Sequence, residues 1–221
     1  LSLNNKVLIG TPSYDGRLEA WYVNSLLNAS KLCQLNGIQL DPVFMSYDAL
    51  VQRARNDLIA IAVDGGYDSL IFIDSDMIFE PSWIIELIKS DKDVIGGTTR
   101  KKTDDYEGYS VKTTNLEREN GLIKVDCLGT GFVKISRDAL LKICKSSDEY
   151  TENGENPKRM VCDVQIVNGE LWSEDRVMSK KIKDAGFDIW LDPRMTCSHI
   201  GTKIFHGDFN SFSEKILASD E

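Results

Sequence analysis

The chain has 221 residues, 42% hydrophobic and 28% charged, enough for one well-filled core and scarcely two, with a globular rather than a disordered composition. Its formal net charge of −9 argues against nucleic acid or an anionic membrane surface as partner, since both are bound through basic patches.

Strand and helix alternate through the first hundred residues. Residues 6–10 read as a short strand, stopped by Thr11-Pro12-Ser13-Tyr14-Asp15-Gly16. A helix follows over 18–36, with Val23, Leu26, Leu27, Ser30 and Cys33 on one face and Gly37 in the left-handed position beyond its end. Residues 38–44 form a second strand. Asp48 caps a helix over 49–63, which Gly65-Gly66 terminates. An apolar strand from Ser69 comes next, and Pro81-Ser82 opens a helix that runs to Lys89. Repeated strand–helix units imply a parallel sheet covered by helices on both faces.

The second half reads differently. Strands at 122–127 and 131–136 surround a Gly129-Thr130-Gly131 break, and a helix follows over 137–144. Residues 160–167 and 170–172 flank Asn168-Gly169, the signal of a type I′ hairpin. Ser173 caps a helix to Ala185, Gly186 ends it, and 187–191 is the last strand. The polar stretches 100–121 and 146–159 read as long loops, which in compact proteins are functional or disordered. The whole is expected to be one domain, 1–221, with a nucleotide-binding half over 1–100 and a mixed, partly antiparallel half over 101–221. Five scattered cysteines read as free thiols of a reducing, cytoplasmic compartment. No apolar run approaches the ~20 residues that span a bilayer, and no signal peptide leads the chain. Because the chain opens on Leu1, further domains of a longer polypeptide are expected.

The strand at 69–73 ends abruptly in Asp74-Ser75-Asp76. Ligands of open α/β sheets bind beyond the carboxyl ends of strands, and two carboxylates there suit a hard divalent cation that holds a phosphate-bearing substrate. Such an ion also offsets the repulsion between an acidic protein and a diphosphate. At ~100° per residue, Arg55 falls inside the apolar arc of its helix, whereas Arg53, Asn56 and Asp57 fall outside. A guanidinium on that face must snorkel, pair with a core carboxylate, or meet an anion, with a donor phosphate, a base and Asp74 as candidates. Glu174 and Asp175 lie in a first helical turn, where the dipole favours their charged forms. Of the two histidines, His199 follows the last strand; a neutral imidazole that completes a carboxylate site suits Mn²⁺ better than Mg²⁺. Lys203 and His206 could face the same phosphate.

Together these residues resemble the GT-A class of glycosyltransferases, enzymes that use nucleotide-diphosphate sugars, and the likeness covers nearly the whole chain. The resemblance implies a Rossmann-like, mostly parallel central sheet flanked by helices, with a mixed C-terminal half. Thr11, Pro12, Tyr14 and Asp15 resemble the first-strand loop that holds the nucleoside. Arg53-Ala54-Arg55-Asn56 and Asp74-Ser75-Asp76 continue the match, with Arg55, Asp74 and Ser75 on the donor. Gly129, Thr130 and Gly131 look like the donor-sugar loop, and Lys203 a late donor contact. Ser173-Glu174-Asp175 is similar to the element that supplies the base of inverting members, so Asp175 is the implied base; a retaining outcome stays open. Asp74, Asp76 and His199 are the implied ligands of Mn²⁺ or Mg²⁺. The implied partners are a UDP-sugar donor and a glycan or glycoprotein acceptor. The texture also resembles glycosyltransferases encoded by large viruses of green algae. No Q-x-x-R-W follows the acidic pair, which implies single addition rather than processive synthesis.

Three alternatives remain in play. A sugar-1-phosphate nucleotidyltransferase shares much of such a fold but carries a Gly-rich phosphate loop that Thr11–Gly16 does not resemble. A phosphatase with Asp74 as nucleophile would place that residue on the first strand. A nucleotide-sugar-binding module without turnover is the non-enzymatic reading. Arg100-Lys101-Lys102 and the segment after it are expected to form an acceptor lid that orders on binding.

Overall fold

A computed structural model describes residues 5–152, 154 and 156–219. The first half runs β1 (Lys6–Ser13), α1 (Ala20–Leu35), β2 (Gln39–Ser46), α2 (Val51–Asp64), β3 (Ser69–Ile73), β4 (Met77–Ile78), α3 (Ser82–Lys89) and β5 (Val94–Thr99). It continues through β6 (Val111–Lys112), β7 (Arg118–Glu119), β8 (Leu122–Val125), β9 (Cys127–Leu128), β10 (Phe132–Ser136) and α4 (Arg137–Lys145). Last come β11 (Glu149–Tyr150), β12 (Lys158–Arg159), β13 (Gln165–Val167), β14 (Glu170–Trp172), α5 (Glu174–Asp184), β15 (Ile189–Ile200), β16 (Ile204–Phe205) and α6 (Phe209–Ser219).

Period-2 alternation sorts the strand residues into two apolar layers. Val7, Ile9, Ile71 and Ile73 face one side with Tyr22, Leu26, Ala29 and Cys33 of α1 and Ile84 and Leu87 of α3. Leu8, Leu70 and Phe72 face the other with Leu58, Ile59 and Ala62 of α2, Leu140 and Ile143 of α4, and Met178 and Ile182 of α5. All of β3 is buried, as a strand covered on both faces must be.

The main sheet has the order β2-β1-β3-β10-β5-β15-β8-β7. β1 is parallel to β2 and β3, and β15 is parallel to β5. β10 lies antiparallel between β3 and β5. The expected antiparallel element is therefore set into the middle of the sheet rather than appended to it, and it brings the 129–131 turn against the end of β3.

Several expectations shift on inspection. Asp48 does not cap α2, which starts at Val51 after Leu50; its carboxylate accepts from the Leu50 amide at 2.9 Å and from Arg53 Nε and Nη2 at 2.8 and 2.7 Å. Ser173 holds the N-cap position of α5 without a side-chain cap bond. The Asn168-Gly169 turn has φ of 53° and 80°, as a type I′ turn requires, but β13 begins only at Gln165. Asn56 explains the delay: its amide oxygen accepts from the Val161 and Cys162 amides at 3.1 and 2.8 Å. The last strand does not stop at Leu191. It passes Pro193 through a register shift between Leu191 and Thr196 and continues to Ile200. Neither that extension nor α6 was expected. The 100–121 stretch is anchored rather than free, with Tyr109 buried against Phe209 and Phe212.

β5 reaches the site by running close against its neighbours. A Cβ on Gly97 would lie 2.1 Å from the Met195 carbonyl oxygen. Gly97→Ala must push β5 and β15 apart, and urea denaturation should show a loss of about 2 kcal/mol or more. Leu35→Ala, at a position 82% exposed, should stay within ~0.5 kcal/mol of the parent.

Candidate functional site

β3 delivers Asp74 and Asp76 at its carboxyl end, and strand pairing fixes what stands opposite. β15 runs antiparallel to β4 with His199 across from Met77, and the Ile200 amide donates to the Asp76 carbonyl at 2.9 Å. His199 Nε2 is thereby held 3.4 Å from Asp76 Oδ2. Its Nδ1 donates to the Arg100 carbonyl at 3.1 Å, so Nε2 is the nitrogen that faces the carboxylate, as a second N–H that donates to Asp76 or, in a neutral ring, as a lone pair open to a cation. Two donors each ~2.1 Å from one ion lie roughly 3.0–3.4 Å apart, so the pair has the span of a divalent-ion bite.

Lys102 Nζ also lies 2.5 Å from Asp76 Oδ2. Burial raises the Asp76 pKa, but His199 and Lys102 outweigh it and hold the carboxyl below its ordinary value. Among the described residues no three His, Cys, Asp or Glu side chains gather into a metal cage. An ion here would therefore need further oxygens from a ligand, as Mg²⁺ and its relatives take them from substrate phosphates. With that supply, the carboxylate and imidazole fit Mn²⁺.

Asp74 lines the same cleft, its Oδ1 accepting from Arg55 Nη2 at 2.8 Å, while Asp76 and His199 face one another. The apolar-arc position of Arg55 is confirmed: it is 3% exposed, with its guanidinium carbon 5.3 Å from the Phe72 ring centre. Burial works against its charge, but the Asp74 and Asp175 carboxylates more than compensate. Among the described residues its Nε and Nη1 have no hydrogen-bond partner. Asn56, expected outside the arc, is buried as well.

Arg55, Asp74 and His199 border two adjoining cavities. The outer one, about 230 Å³, is walled by Pro12, Ser13, Tyr14, Ser75 and Asp76 together with Asp48 and Val51. The inner one, about 100 Å³, is walled by Thr98, Thr99, Ser110, Gly129, Thr130, Gly131, Glu174 and Asp175. Asp175 stands across the inner cavity, where Oδ1 accepts from Thr130 Oγ1 at 2.5 Å and from the Thr130 amide at 3.2 Å. Burial and the neighbouring Asp175 charge raise the Glu174 pKa.

Four expected contacts lie outside this cleft. Thr11 is fully buried with its hydroxyl 2.5 Å from that of Tyr22, so it fastens β1 to α1 and lines neither cavity. Asp15 is an exposed turn residue that accepts from the Arg17 amide at 3.0 Å. Lys203 pairs with Asp104 at 2.7 Å, and His206 Nδ1 lies 2.9 Å from Ser198 Oγ. The sequence reading placed Lys102 in a lid and missed its contact with Asp76, and it missed Glu174 as a lining residue and Thr98, whose buried hydroxyl has no partner among the described residues. Thr98 and Thr99 close an apolar strand as Asp74 does, a signal of the same kind.

No family model matches this chain, and no curated protein matches it significantly. Solved structures do. The protein A197 from STIV is 19% identical, covers 89% of this chain and 86% of its own, and gives a TM-score of 0.56. A Drosophila β-1,4-galactosyltransferase 7 mutant, solved with manganese, UDP-Gal and xylobiose, is 14% identical, covers 95% and 79%, and gives 0.50. A glycosyltransferase involved in glycosylation of the major capsid of PBCV-1 is 12% identical over 62% of each chain with a TM-score of 0.36, too slight an overlap to bear on origin. The fold of this chain is of the GT-A type, and glycosyltransferases are among its structural neighbours.

The lowered pKa of Asp76 makes its pairing a source of stability that is present above its ordinary pKa near 4 and lost as pH falls through the lower folded value. Asp76→Asn should therefore melt below the parent at pH 6, with the gap closing as pH falls below the ordinary carboxylate range near 4. A gap that thermal melts find independent of pH would contradict the pairing.

Proposed function

We propose that this chain is a glycosyltransferase that moves a sugar from a UDP-sugar to a hydroxyl of a glycan acceptor with the help of Mn²⁺ or Mg²⁺. One observation carries the reading. Two adjoining cavities that share Arg55, Asp74 and His199 have Asp76 facing His199 at 3.4 Å along one and Asp175 tied to Thr130 along the other, with a buried, incompletely paired Arg55 common to both. The Drosophila neighbour's manganese, UDP-Gal and xylobiose are the chemistry this proposal carries over. In this reading residues 1–221 form one catalytic unit, with 1–100 serving the nucleotide and 101–221 the sugar and acceptor.

The outer cavity takes the nucleoside between the Pro12–Tyr14 wall and Asp48–Val51. The diphosphate lies over Arg55, whose free N–H groups lack any other acceptor. Asp76 and His199 would hold the ion, which when bound supplies positive charge to the departing diphosphate. The sugar sits in the inner cavity among Thr98, Thr99, Ser110 and the Gly129–Gly131 turn. Asp175 accepts the acceptor's hydroxyl proton as the acceptor oxygen bonds to the anomeric carbon and the bond to the nucleoside diphosphate breaks. Thr130 pins Oδ1, leaving Oδ2 for that proton. An oxocarbenium-like centre needs little nucleophilic push, so a weak base suffices. Attack from the side opposite the diphosphate inverts the anomeric centre.

Calorimetry and product mass spectrometry with a UDP-sugar panel test this reading. Asp76→Ala should lose Mn²⁺-dependent donor binding and transfer together. Asp175→Asn should keep donor affinity while transfer falls by roughly 10²–10⁴-fold. Full transfer by Asp76→Ala would reject the reading, and equal loss of binding and transfer in Asp175→Asn would make Asp175 structural.

A further inference from the structure

Lys102 occupies the carboxylate that the proposed function assigns to an ion. Its Nζ lies 2.5 Å from Asp76 Oδ2, the same oxygen that faces His199 Nε2 at 3.4 Å. The approach depends on Gly201, where a Cβ would lie 3.2 Å from Lys102 Cδ and 3.7 Å from Cε, so the lysine stem lies across a residue without a side chain. On either side of Lys102 the segment meets the stretch that carries His199: the Arg100 carbonyl accepts from His199 Nδ1 at 3.1 Å, and the exposed side chains of Asp104 and Lys203 pair at 2.7 Å.

One carboxylate oxygen cannot serve an ammonium at this distance and a doubly charged ion at once, because like charges that close repel. We propose that Lys102 is a displaceable internal cation that covers Asp76 in the ion-free protein and is exchanged for the divalent ion when the site loads. The inference rests on the reading that Asp76 and His199 hold an ion. It assigns Lys102 the task of setting ion affinity, and it makes ion binding weak until a phosphate-bearing ligand gives the released ammonium another partner.

The test is a Mn²⁺ titration of the full chain, followed by electron paramagnetic resonance without nucleotide. Lys102→Met keeps the apolar stem over Gly201 and removes the charge. It should tighten Mn²⁺ binding about threefold or more, the factor to which a part-exposed ion pair converts. Lys101→Met removes an equal charge one residue away, from an ammonium 5.9 Å from the Tyr106 ring centre, and should leave affinity unchanged. In the parent, trypsin should cut after residue 102 faster once Mn²⁺ is bound. Unchanged or weaker affinity in Lys102→Met, equal tightening in Lys101→Met, or cleavage insensitive to Mn²⁺ would each overturn the inference and leave the ion site standing. Absence of Mn²⁺ binding by parent and variant alike, even with UDP, would overturn the ion site and this inference together.

Discussion

A guanidinium buried to 3% exposure and given one acceptor is the constraint around which this cleft is built. Taking a charge out of water costs several kcal/mol after relaxation, and a lone carboxylate repays that only in part. Arg55 is tolerable because Asp74 and Asp175 surround it with negative charge, while Phe72 lies under its flat face. Its Nε and Nη1 remain unsatisfied. Buried donors left without partners are rare in folded proteins, and those that persist point to an acceptor from elsewhere.

The remaining geometry follows from strand register. β10 enters between β3 and β5 and turns at residues 129–131, which sets Thr130 against Asp175 and Gly131 against Asp74. Gly131 lets the turn approach closely, since a Cβ there would lie 2.9 Å from Met77 Cε and 3.2 Å from Asp74 Oδ2. Beyond its register shift β15 pairs with β5 again at Thr196 and Cys197 and then with β4 at Ser198 and His199, which carries His199 to Asp76. The imidazole and the carboxylate, distant in sequence, are held together by backbone hydrogen bonds rather than by their own attraction.

Much of this was legible in the sequence. The alternation of Val7, Leu8 and Ile9, or of Leu70, Ile71, Phe72 and Ile73, encodes a two-sided sheet, and the acids that end β3 mark where its ligand edge lies. Arg55 was visible as a charge on an apolar arc because helical periodicity is local. What the sequence hid was non-local. Pro193 reads as a strand breaker, yet a bulge absorbs it and the strand runs on to His199. Thr11 looked like a nucleoside contact by position, but Tyr22 draws its hydroxyl inward. The sequence points Lys203 toward a phosphate and Lys102 into a lid, yet it is Lys102 that reaches Asp76, while Lys203 pairs with Asp104.

The central claim is that Asp76 and His199 share one divalent ion. Pulsed electron paramagnetic resonance of Mn²⁺ bound to the parent chain with UDP tests it most directly. The account predicts hyperfine coupling to one imidazole nitrogen that disappears in His199→Gln. A bound Mn²⁺ with oxygen ligands alone, identical in parent and variant, would contradict it.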